Sequence, residues 1–540
     1  MDTRAGTAGL VVVAGLALAW LASGLPADAF FSGDSGVKLI ATLDAIAHPT
    51  RPFETDLPRI GTRATTFTDP MVVPHGGHAH VLQSPLFPPL TAPLVAAFGL
   101  RGAYLWPALG FLALVPMLAV ARPHLVPDAS WAVLAWIVVA ANPLLLYALE
   151  FWEHVPAVAL LAAGTAVVAP SFVRDLSGTR VAASGALVGA GILLRPEGAW
   201  YAAGLALALG PRRWLPFGTG AAALLLPAAI LNYLHFGTPL GAHAGAVLAP
   251  IGSPVFFATR WQRVLDWLWP ASAADAIGLA LVATAWVAAL FKIDVRVRQV
   301  VALAGTAVIT VLAARRALPA QSFWQGFPLA LLALMPASTW TPAARGLALA
   351  AYVAVAGVVL TATNDGGAQW GTRFLLIAAP PLLLLAARSA TDAAGTGAWR
   401  LPRLALVAMI LLAGAATSRS AYLELRGTKR NYQSLVAATH TFTRPGDIIL
   451  TNLWWFDQVN GALHGTRTFL YVADGAAASR ALDTIHAEHI DAVTLVWSAD
   501  AAESPFPLEP ALEGTCFRTT AILEADPRSI RFAATRCAAD

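Results

Sequence analysis

A carboxylate and an ammonium group lie four residues apart just after the first apolar segment, in Phe31-Ser32-Gly33-Asp34-Ser35-Gly36-Val37-Lys38. Asp34 has the chemistry of a general base, and Lys38 has that of a phosphate ligand. The flanking glycines permit a tight turn and close approach by a substrate. The same residue types are the usual ones for a turn and helix cap, so this stretch needs support from the rest of the chain.

A second cluster separates two apolar runs and reads Glu150-Phe151-Trp152-Glu153-His154. Ionisable residues at the ends of membrane helices cost free energy to hold there, which makes Glu153 and His154 candidates for function. The simpler interpretation is a solvated loop, with Trp152 as an interfacial anchor.

Two further clusters carry arginine. Arg195-Pro196-Glu197 interrupts an otherwise apolar run, and the Gly-rich residues 364–373 end in Arg373. The simpler interpretations are an Arg195–Glu197 ion pair that ends two helices and an Arg373 side chain that snorkels to lipid headgroups. If all four clusters lie on one side of the membrane, they bring carboxylates and cations to one cavity. That composition suits a phosphate-bearing lipid, with a carboxylate as base.

Three imidazoles lie within six residues in His75-Gly76-Gly77-His78-Ala79-His80. Zinc accepts such ligands, but no fourth ligand is evident and the segment is glycine-rich. His75, His78 and His80 are therefore weak metal candidates, and the alternative is a loop that lines the acceptor entrance.

The composition is that of a membrane protein. Of the 540 residues, 57% are hydrophobic and 12% are charged, about half of the roughly 25% charged residues in a soluble domain. Apolar stretches of about 20 residues recur, and each can cross a bilayer. The net charge of +4 reflects Arg and Lys in the loops and does not indicate a nucleic-acid partner.

The apolar runs predict about 13 transmembrane helices. The first run, 8–24, could be a cleavable signal peptide, but we expect an uncleaved anchor because many spans follow. The polar interval 26–102 is too long to be structureless and should contain short interfacial helices. The other predicted spans are 103–121, 130–148, 154–172, 181–195, 197–210, 214–234, 271–291, 299–314, 325–339, 345–363, 373–388 and 401–418.

The basic loops predict the orientation. Alternate loops carry Arg or Lys, among them Arg122, Arg174 and Arg212, which the positive-inside rule places in the cytoplasm. Arg315-Arg316 departs from this alternation. We expect a multi-pass protein of the cytoplasmic (inner) membrane, with a cytoplasmic N-terminus and an extracytoplasmic C-terminal domain.

The C-terminal residues predict a small α/β domain. Residues 448–450, 468–472 and 492–497 have strand composition, and 475–489 has helical character, which together give a βαβ-like unit. We therefore divide the chain into a transmembrane domain, 1–420, which includes the outward loop 26–102, and a soluble domain, 421–540. Cys516 and Cys537 could pair there. A zinc site between them is not expected, because no histidine lies between them.

These motifs resemble the polytopic glycosyltransferases of the GT-C fold, in the dolichyl-phosphate-mannose protein mannosyltransferase and aminoarabinose transferase superfamily. The resemblance spans most of residues 1–418. It rests on the acid in the first outward loop, Phe151-Trp152-Glu153-His154, Leu194-Arg195-Pro196-Glu197-Gly198, residues 232–239 and Gln369-Trp370-Gly371-Thr372-Arg373-Phe374. The first loop lacks the adjacent Asp-Glu pair of the protein mannosyltransferases, which weakens the case for protein O-mannosylation.

The resemblance implies transfer of a sugar from a polyprenyl-phosphate carrier to a glycan, lipid or protein acceptor on the outer side. Asp34 would be the general base of a single, inverting displacement, and Glu153 a second carboxylate that orients the acceptor or holds a cation. No cofactor is implied with certainty, and a divalent metal stays open. The implied substrate- and lipid-phosphate-binding residues are Lys38, His154, Arg195, Glu197 and Arg373.

Three other functions fit parts of the pattern. A transporter or flippase also has many spans, broken helices and charges within the membrane. No internal repeat at half-length supports it, and the large outward segments suit a surface reaction better. A polysaccharide ligase or polymerase would use a different lipid-linked donor and would not need Asp34. An inactive scaffold would leave the cost of the clustered charges unexplained.

Overall fold

The computed structural model describes residues 3–75, 78–82, 84–140, 142–241, 253–268, 304, 323–334, 341–362, 373–393, 400–500, 506, 508–525 and 529–537. The predicted spans 271–291 and 299–314 and the end of 325–339 lie outside the described residues, apart from Ala304. So do residues 364–372 of the Gly-rich cluster.

The described chain is mostly helical. Its α-helices are α1 Thr3–Ser23, α2 Gly33–Ala47, α3 Phe87–Phe98, α4 Leu105–Leu125, α5 Trp131–Ala140, α6 Leu144–Ala148, α7 His154–Val168, α8 Gly178–Leu194, α9 Gly198–Leu209, α10 Pro211–Phe236, α11 Pro254–Leu268, α12 Phe323–Gly326, α13 Ala330–Leu334, α14 Pro342–Thr361, α15 Ala379–Ala393, α16 Arg400–Phe442, α17 Phe456–Val459 and α18 Gly475–Ala487. The strands are β1 Arg59–Ile60, β2 Arg63–Ala64, β3 Val72–His75, β4 His78–Val81, β5 Ile448–Thr451, β6 Thr468–Tyr471, β7 Ala492–Ser498, β8 Phe517–Ala525 and β9 Ile530–Cys537.

Six helical stretches in the described part of the chain are long and apolar enough to cross a bilayer. They are Ala5–Ser23, Phe87–Leu125, His154–Phe172, Pro211–Phe236, Pro342–Thr361 and Arg373–Asp392. Trp131–Ala140, Gly178–Leu194 and Gly198–Leu209 are apolar but shorter. The chain is therefore a multi-pass integral membrane protein, and the count of about 13 spans stays a prediction.

The chain forms two compact units. The first consists of Met1–Ser23 and Tyr104–Leu425, and the second of Gly24–Ala103 and Arg426–Asp540. This division groups residues 26–102 with the C-terminal residues, whereas the sequence predicted that they belong to the transmembrane domain. The functional domain boundaries stay a prediction.

The first unit is a bundle in which α7 packs against α4 and α8, α8 against α10, and α9 against α14. Small residues allow these helices to approach closely. A Cβ on Gly185 would collide with the carbonyl oxygen of Phe217, and one on Gly220 with that of Ala182. Within a membrane the hydrophobic effect contributes little to helix association. Close contacts at small residues stabilise the association instead, through van der Waals packing.

One predicted span, 130–148, is wrong in detail, because the structure divides it into α5 and α6. Pro143 has no backbone N–H to continue the helix. The Asn142 side chain instead donates to the carbonyl oxygens of Ile137 and Val138, at 2.9 and 2.5 Å. The side-chain oxygen of Asn142, Oδ1, accepts a hydrogen bond from the backbone N–H of Leu144 at 2.8 Å. Local side-chain hydrogen bonds of this kind satisfy backbone groups where a helix stops.

The second unit contains a five-stranded sheet in the order β6-β5-β7-β9-β8. Strand β5 pairs in parallel with β6 and β7, and α18 connects β6 to β7, so the predicted βαβ-like unit is present. Strands β8 and β9 were not predicted, and they extend the sheet in the antiparallel sense. Cys516 and Cys537 form a disulfide beside this hairpin.

Residues 26–102 also contribute helices and strands to the second unit. Helices α2 and α3 agree with the expectation of short helices in 26–102, and α2 packs against α3 and β4. The antiparallel pairs β1–β2 and β3–β4 were not predicted. A small apolar cluster of Val37, Ala41 and Val81 joins α2 to the second hairpin.

Candidate functional site

Five of the predicted site residues come from four helix ends in the first unit. His154 begins α7, directly after Glu153. Arg195 follows the end of α8, and Glu197 precedes the first residue of α9. Arg373 opens the 3₁₀ turn Arg373–Ala378. Helix ends carry unsatisfied backbone groups and accept polar side chains, so these are the points where charge enters an apolar bundle.

Arg195 binds both neighbouring carboxylates. Its Nη1 donates to Glu153 Oε1 at 3.0 Å, and its Nε and Nη2 donate to the two oxygens of Glu197 at 3.1 and 2.5 Å. The side chains of Glu153 and Arg195 are 1% and 7% exposed, and that of Glu197 is 19% exposed. The structure therefore contains the ion pair of the simpler interpretation, with Glu153 as an additional member that joins α7 to the α8–α9 turn.

Aromatic rings surround this charged group. The guanidinium of Arg195 lies over the ring of Phe374 at 5.2 Å, and that of Arg373 lies over Trp152 and Phe374 at 5.5 and 5.4 Å. The His154 ring is 5.6 Å from both Trp152 and Tyr147. Cation–π contacts are strongest where water is excluded, and they fix the plane of each guanidinium.

The arrangement has the chemistry to bind an anion. Two guanidinium groups, one imidazole and two carboxylates converge on buried aromatic walls. Three of the five N–H donors of Arg195 are directed at Glu153 and Glu197, which leaves two outside these carboxylate contacts. Arginine recognises phosphate through such planar donor sets. The first unit thus holds a candidate phosphate-binding cluster, which we call the arginine cluster: Glu153, His154, Arg195, Glu197 and Arg373.

Asp34 and Lys38 lie on α2 in the second unit. The segment expected to form a tight turn or a helix cap is the first turn of this helix, with Ser32 in the N-cap position. A carboxylate in the first turn is stabilised by the helix macrodipole. Lys38 lies one turn further on the same face and is 1% exposed.

Asp44, ten residues after Asp34, belongs to a polar network that the sequence analysis missed. Its Oδ1 accepts from Nε2 of His464 at 3.0 Å, and its Oδ2 accepts from the Thr55 hydroxyl at 2.6 Å and from the Asp56 N–H at 3.1 Å. Burial raises the pKa of Asp44, but the His464 hydrogen bond and charge outweigh burial and lower the pKa overall. Burial likewise lowers the pKa of His464, and Asp44 raises it overall. Both shifts favour a charged pair.

Asp69 lies at the centre of a second missed group. It is 4% exposed, and its Oδ1 accepts from the Met71 N–H at 2.6 Å and from Gln458 Nε2 at 3.0 Å. Burial, with the charges of Asp457 and Asp34, raises the pKa of Asp69 to about 7. Burial raises the pKa of Asp457 to about 6. Ionising several adjacent buried carboxyls costs free energy because their charges repel each other. A fraction of the Asp69 and Asp457 carboxyls is therefore protonated near neutral pH.

Replacing Asp69 by Asn should change how the stability of the protein depends on pH. The folded-state pKa of about 7 lies above the ordinary value of 3.8, so the stabilising effect of the protonated carboxyl is lost as pH rises towards 7. Between about pH 5 and 7 the wild type should lose about 2 kcal/mol that Asp69→Asn does not lose. Chemical denaturation of the detergent-solubilised chain at both pH values measures this difference.

Asp483→Asn is the control for Asp69→Asn, because Asp483 is an exposed carboxyl of the same unit, on α18. A general charge effect would change both variants alike. Equal pH dependence in the wild type and Asp69→Asn would show that this carboxyl titrates normally.

The weak metal candidates are not brought together. His75 and His78 face each other across the β3–β4 pair, but Nδ1 of His78 binds Glu54 at 2.9 Å and that of His80 binds the Phe53 carbonyl at 2.9 Å. Among the residues that the structure describes, one cluster could hold a metal: His486, Cys516 and Cys537, with ligand atoms within 4.8 Å of one another. The disulfide removes both thiolates, which are the metal-binding form of cysteine.

The structure thus groups five predicted site residues in the first unit and two, Asp34 and Lys38, in the second. Their catalytic and binding roles stay predictions. The residues missed in the second unit are Asp44, Asp69, Asp457, Gln458 and His464.

Comparison with solved structures identifies the fold. The chain is similar to ArnT from Cupriavidus metallidurans in the apo state, with a TM-score of 0.55 and 13% sequence identity over 99% of this chain and 98% of that one. It is also similar to the same ArnT bound to undecaprenyl phosphate, with a TM-score of 0.53 and 13% identity over 98% of each chain.

A third similar structure is the archaeal oligosaccharyltransferase AglB from Archaeoglobus fulgidus, in complex with an inhibitory peptide and a dolichol-phosphate. The TM-score is 0.51 and the identity 13%, over 98% of this chain and 74% of that one. No family model and no curated protein matches the chain. ArnT and AglB are both GT-C fold glycosyltransferases, and this chain has their fold over nearly its whole length.

Proposed function

We propose that this protein is a membrane glycosyltransferase that moves a sugar from a polyprenyl-phosphate carrier to an acceptor on the extracytoplasmic side. The observation that carries the proposal is the shared fold over 98–99% of the chain with ArnT, a protein that has been captured with undecaprenyl phosphate. Fold alone does not determine activity, so the chemistry of the two residue groups must support the same reaction.

The arginine cluster supports a phosphate leaving group. When a sugar leaves a polyprenyl-phosphate donor, the bond between the anomeric carbon and the phosphate oxygen breaks, and the lipid phosphate gains negative charge. Arg195 and Arg373 are fixed by carboxylates and aromatic rings, so they can stabilise that charge without rearranging. His154 is placed beside the same aromatic wall and can donate a hydrogen bond.

Asp34 is the proposed general base. An acceptor hydroxyl attacks the anomeric carbon, the new glycosidic bond forms as the phosphate departs, and the hydroxyl proton passes to the Asp34 carboxylate. A single displacement of this kind inverts the anomeric configuration. In this proposal Lys38 binds donor phosphate, and Glu153 orients the acceptor while it holds Arg195.

The membrane arrangement follows from the same proposal. About 13 spans, a cytoplasmic N-terminus and an extracytoplasmic C-terminal α/β domain in the cytoplasmic (inner) membrane would place both residue groups on the outer side. The positive-inside pattern of the loops supports this orientation. A nucleotide-sugar donor, which is made in the cytoplasm, would not reach such a site.

The test uses the purified protein in liposomes with glycan, lipid and protein acceptors and with a panel of polyprenyl-phosphate and polyprenyl-pyrophosphate sugars that are radiolabelled in the lipid. We expect at least one donor to release free polyprenyl phosphate in the presence of protein and none to do so in empty liposomes. Transfer of intact donor between leaflets without release would reject the transferase and favour a flippase. Release from polyprenyl-pyrophosphate donors alone would favour the ligase or polymerase alternative.

A further inference from the structure

Helix α2 is seated on a short stretch of the C-terminal region, residues 456–464, which we call the cradle segment. It consists of α17, the 3₁₀ turn Gly461–Leu463 and His464. Both α17 and the 3₁₀ turn pack against α2, and all of these residues belong to the second unit. The helix that carries Asp34 is therefore held by residues more than 400 positions later in the chain.

The glycines beside Asp34 make this contact possible. A Cβ on Gly36 would collide with the backbone carbonyl of Gln458, and a Cβ on Gly461 would lie 2.9 Å from the carbonyl oxygen of Gly36. A Cβ on Gly33 would meet the side-chain amide of Gln458. Real Cβ atoms do not approach backbone so closely, so only glycine at position 36 lets α2 lie directly on the cradle segment.

Two contacts, a steric one near the start of α2 and a hydrogen bond near its end, fix the direction of the helix as well as its distance. Near the N-terminal end, Gln458 contacts Gly33 and donates to the buried Asp69 at 3.0 Å. Near the C-terminal end, His464 donates to Asp44 at 3.0 Å. The two contacts lie almost three helical turns apart, so together they prevent the helix from rotating or sliding.

We propose that the cradle segment positions Asp34, with Gln458 and His464 as positioning residues that act through α2. This inference rests on the proposed function, in which Asp34 takes the acceptor proton. It makes the C-terminal region part of the catalytic framework, where the sequence alone predicted only a separate soluble α/β domain. Neither Gln458 nor His464 needs to touch the substrate for this role.

The experiment compares His464→Ala with His464→Gln in the full chain, because the Gln amide nitrogen can donate to Asp44 from nearly the position of Nε2. For polyprenyl phosphate release we expect His464→Ala to lower kcat about 10²-fold with KM unchanged, as expected when a reacting group is misplaced, and His464→Gln to restore most of kcat. Hydrogen–deuterium exchange of residues 33–47 should rise in His464→Ala and return towards the wild type in His464→Gln.

A glycine series tests the packing separately. Gly36→Ala should increase exchange in α2 strongly, because the new methyl group meets backbone. Gly33→Ala should do so weakly, since a flexible side chain can move. Gly475→Ala is the matched control, because a Cβ there has no neighbour within 4 Å.

The outcomes separate this inference from the proposed function. If the wild type releases no polyprenyl phosphate from any donor, the proposed function fails, and the exchange of α2 by itself decides whether the cradle segment holds the helix. If His464→Ala loses activity without a change in α2 exchange, or if Gly36→Ala behaves like Gly475→Ala, the positioning inference is overturned.

Discussion

Asp34→Asn is expected to lower the rate of polyprenyl phosphate release by about 10²–10⁴-fold, which is the usual contribution of a general base. The amide has nearly the size of the carboxylate and still fits the first turn of α2, but it cannot accept the proton of the acceptor hydroxyl. Because the change acts on the chemical step, kcat should fall with little change in the KM of the donor. Steady-state kinetics with the donor found active in liposomes measure both quantities.

Asp28→Asn is the matched control for this variant. Asp28 lies six residues earlier in the same unit, and its carboxylate accepts a hydrogen bond from Gln433 at 3.2 Å. Loss of release in Asp34→Asn but not in Asp28→Asn would assign the base. Full activity in Asp34→Asn would reject Asp34 as the base and direct attention to Glu153 and Glu197.

The free-energy cost of placing charged residues at the ends of apolar runs indicated several residues of the arginine cluster. Charged residues at the ends of apolar runs are expensive, so Glu153, Arg195 and Glu197 stood out without any knowledge of their contacts. Their mutual arrangement could not be predicted, because Glu153 and Arg195 are 42 residues apart and meet only once α7 and α8 pack. The aromatic wall around Phe374 was missed for the same reason.

The polar residues of the second unit gave no comparable signal. Asp44 and His464 are separated by 420 residues, so no local pattern in the sequence indicates that the two side chains meet. The glycines at positions 33 and 36 were noticed but assigned to a turn and to substrate approach. Glycine is required at these positions because of the segment that packs against them, and the sequence does not show which segment that is.

Secondary structure was predictable where the pattern was local. The parallel βαβ unit follows from short runs of strand composition with a helical segment between the last two, and the structure contains it. The break in span 130–148 depends on Asn142, whose side chain replaces backbone hydrogen bonds beside Pro143. A hydropathy average over about 20 residues changes little with one asparagine, so it does not reveal where the helix is interrupted.

Arg195→Met should be the most destabilising of the substitutions considered. It removes the Arg195 ion pair from the Glu153 carboxylate, which is 1% exposed. Removing one partner of a buried ion pair typically costs about 3–5 kcal/mol, because an uncompensated charge remains. Unfolding by SDS titration in detergent should show this loss in the free energy of unfolding.

The double variant Arg195→Met/Glu153→Gln separates stability from catalysis at this residue. Removing the Glu153 charge should recover most of the lost stability, because neutral side chains of similar volume often replace buried ion pairs at little cost. Arg213→Met is the surface control: its partner Asp175 is fully exposed, so little change is expected. If the double variant is as unstable as the single one, the ion pair does not explain the burial of Arg195. If it is stable yet inactive, the Arg195–Glu153 pair serves the proposed reaction as well as the α7 contact, and the same two side chains link the fold to catalysis.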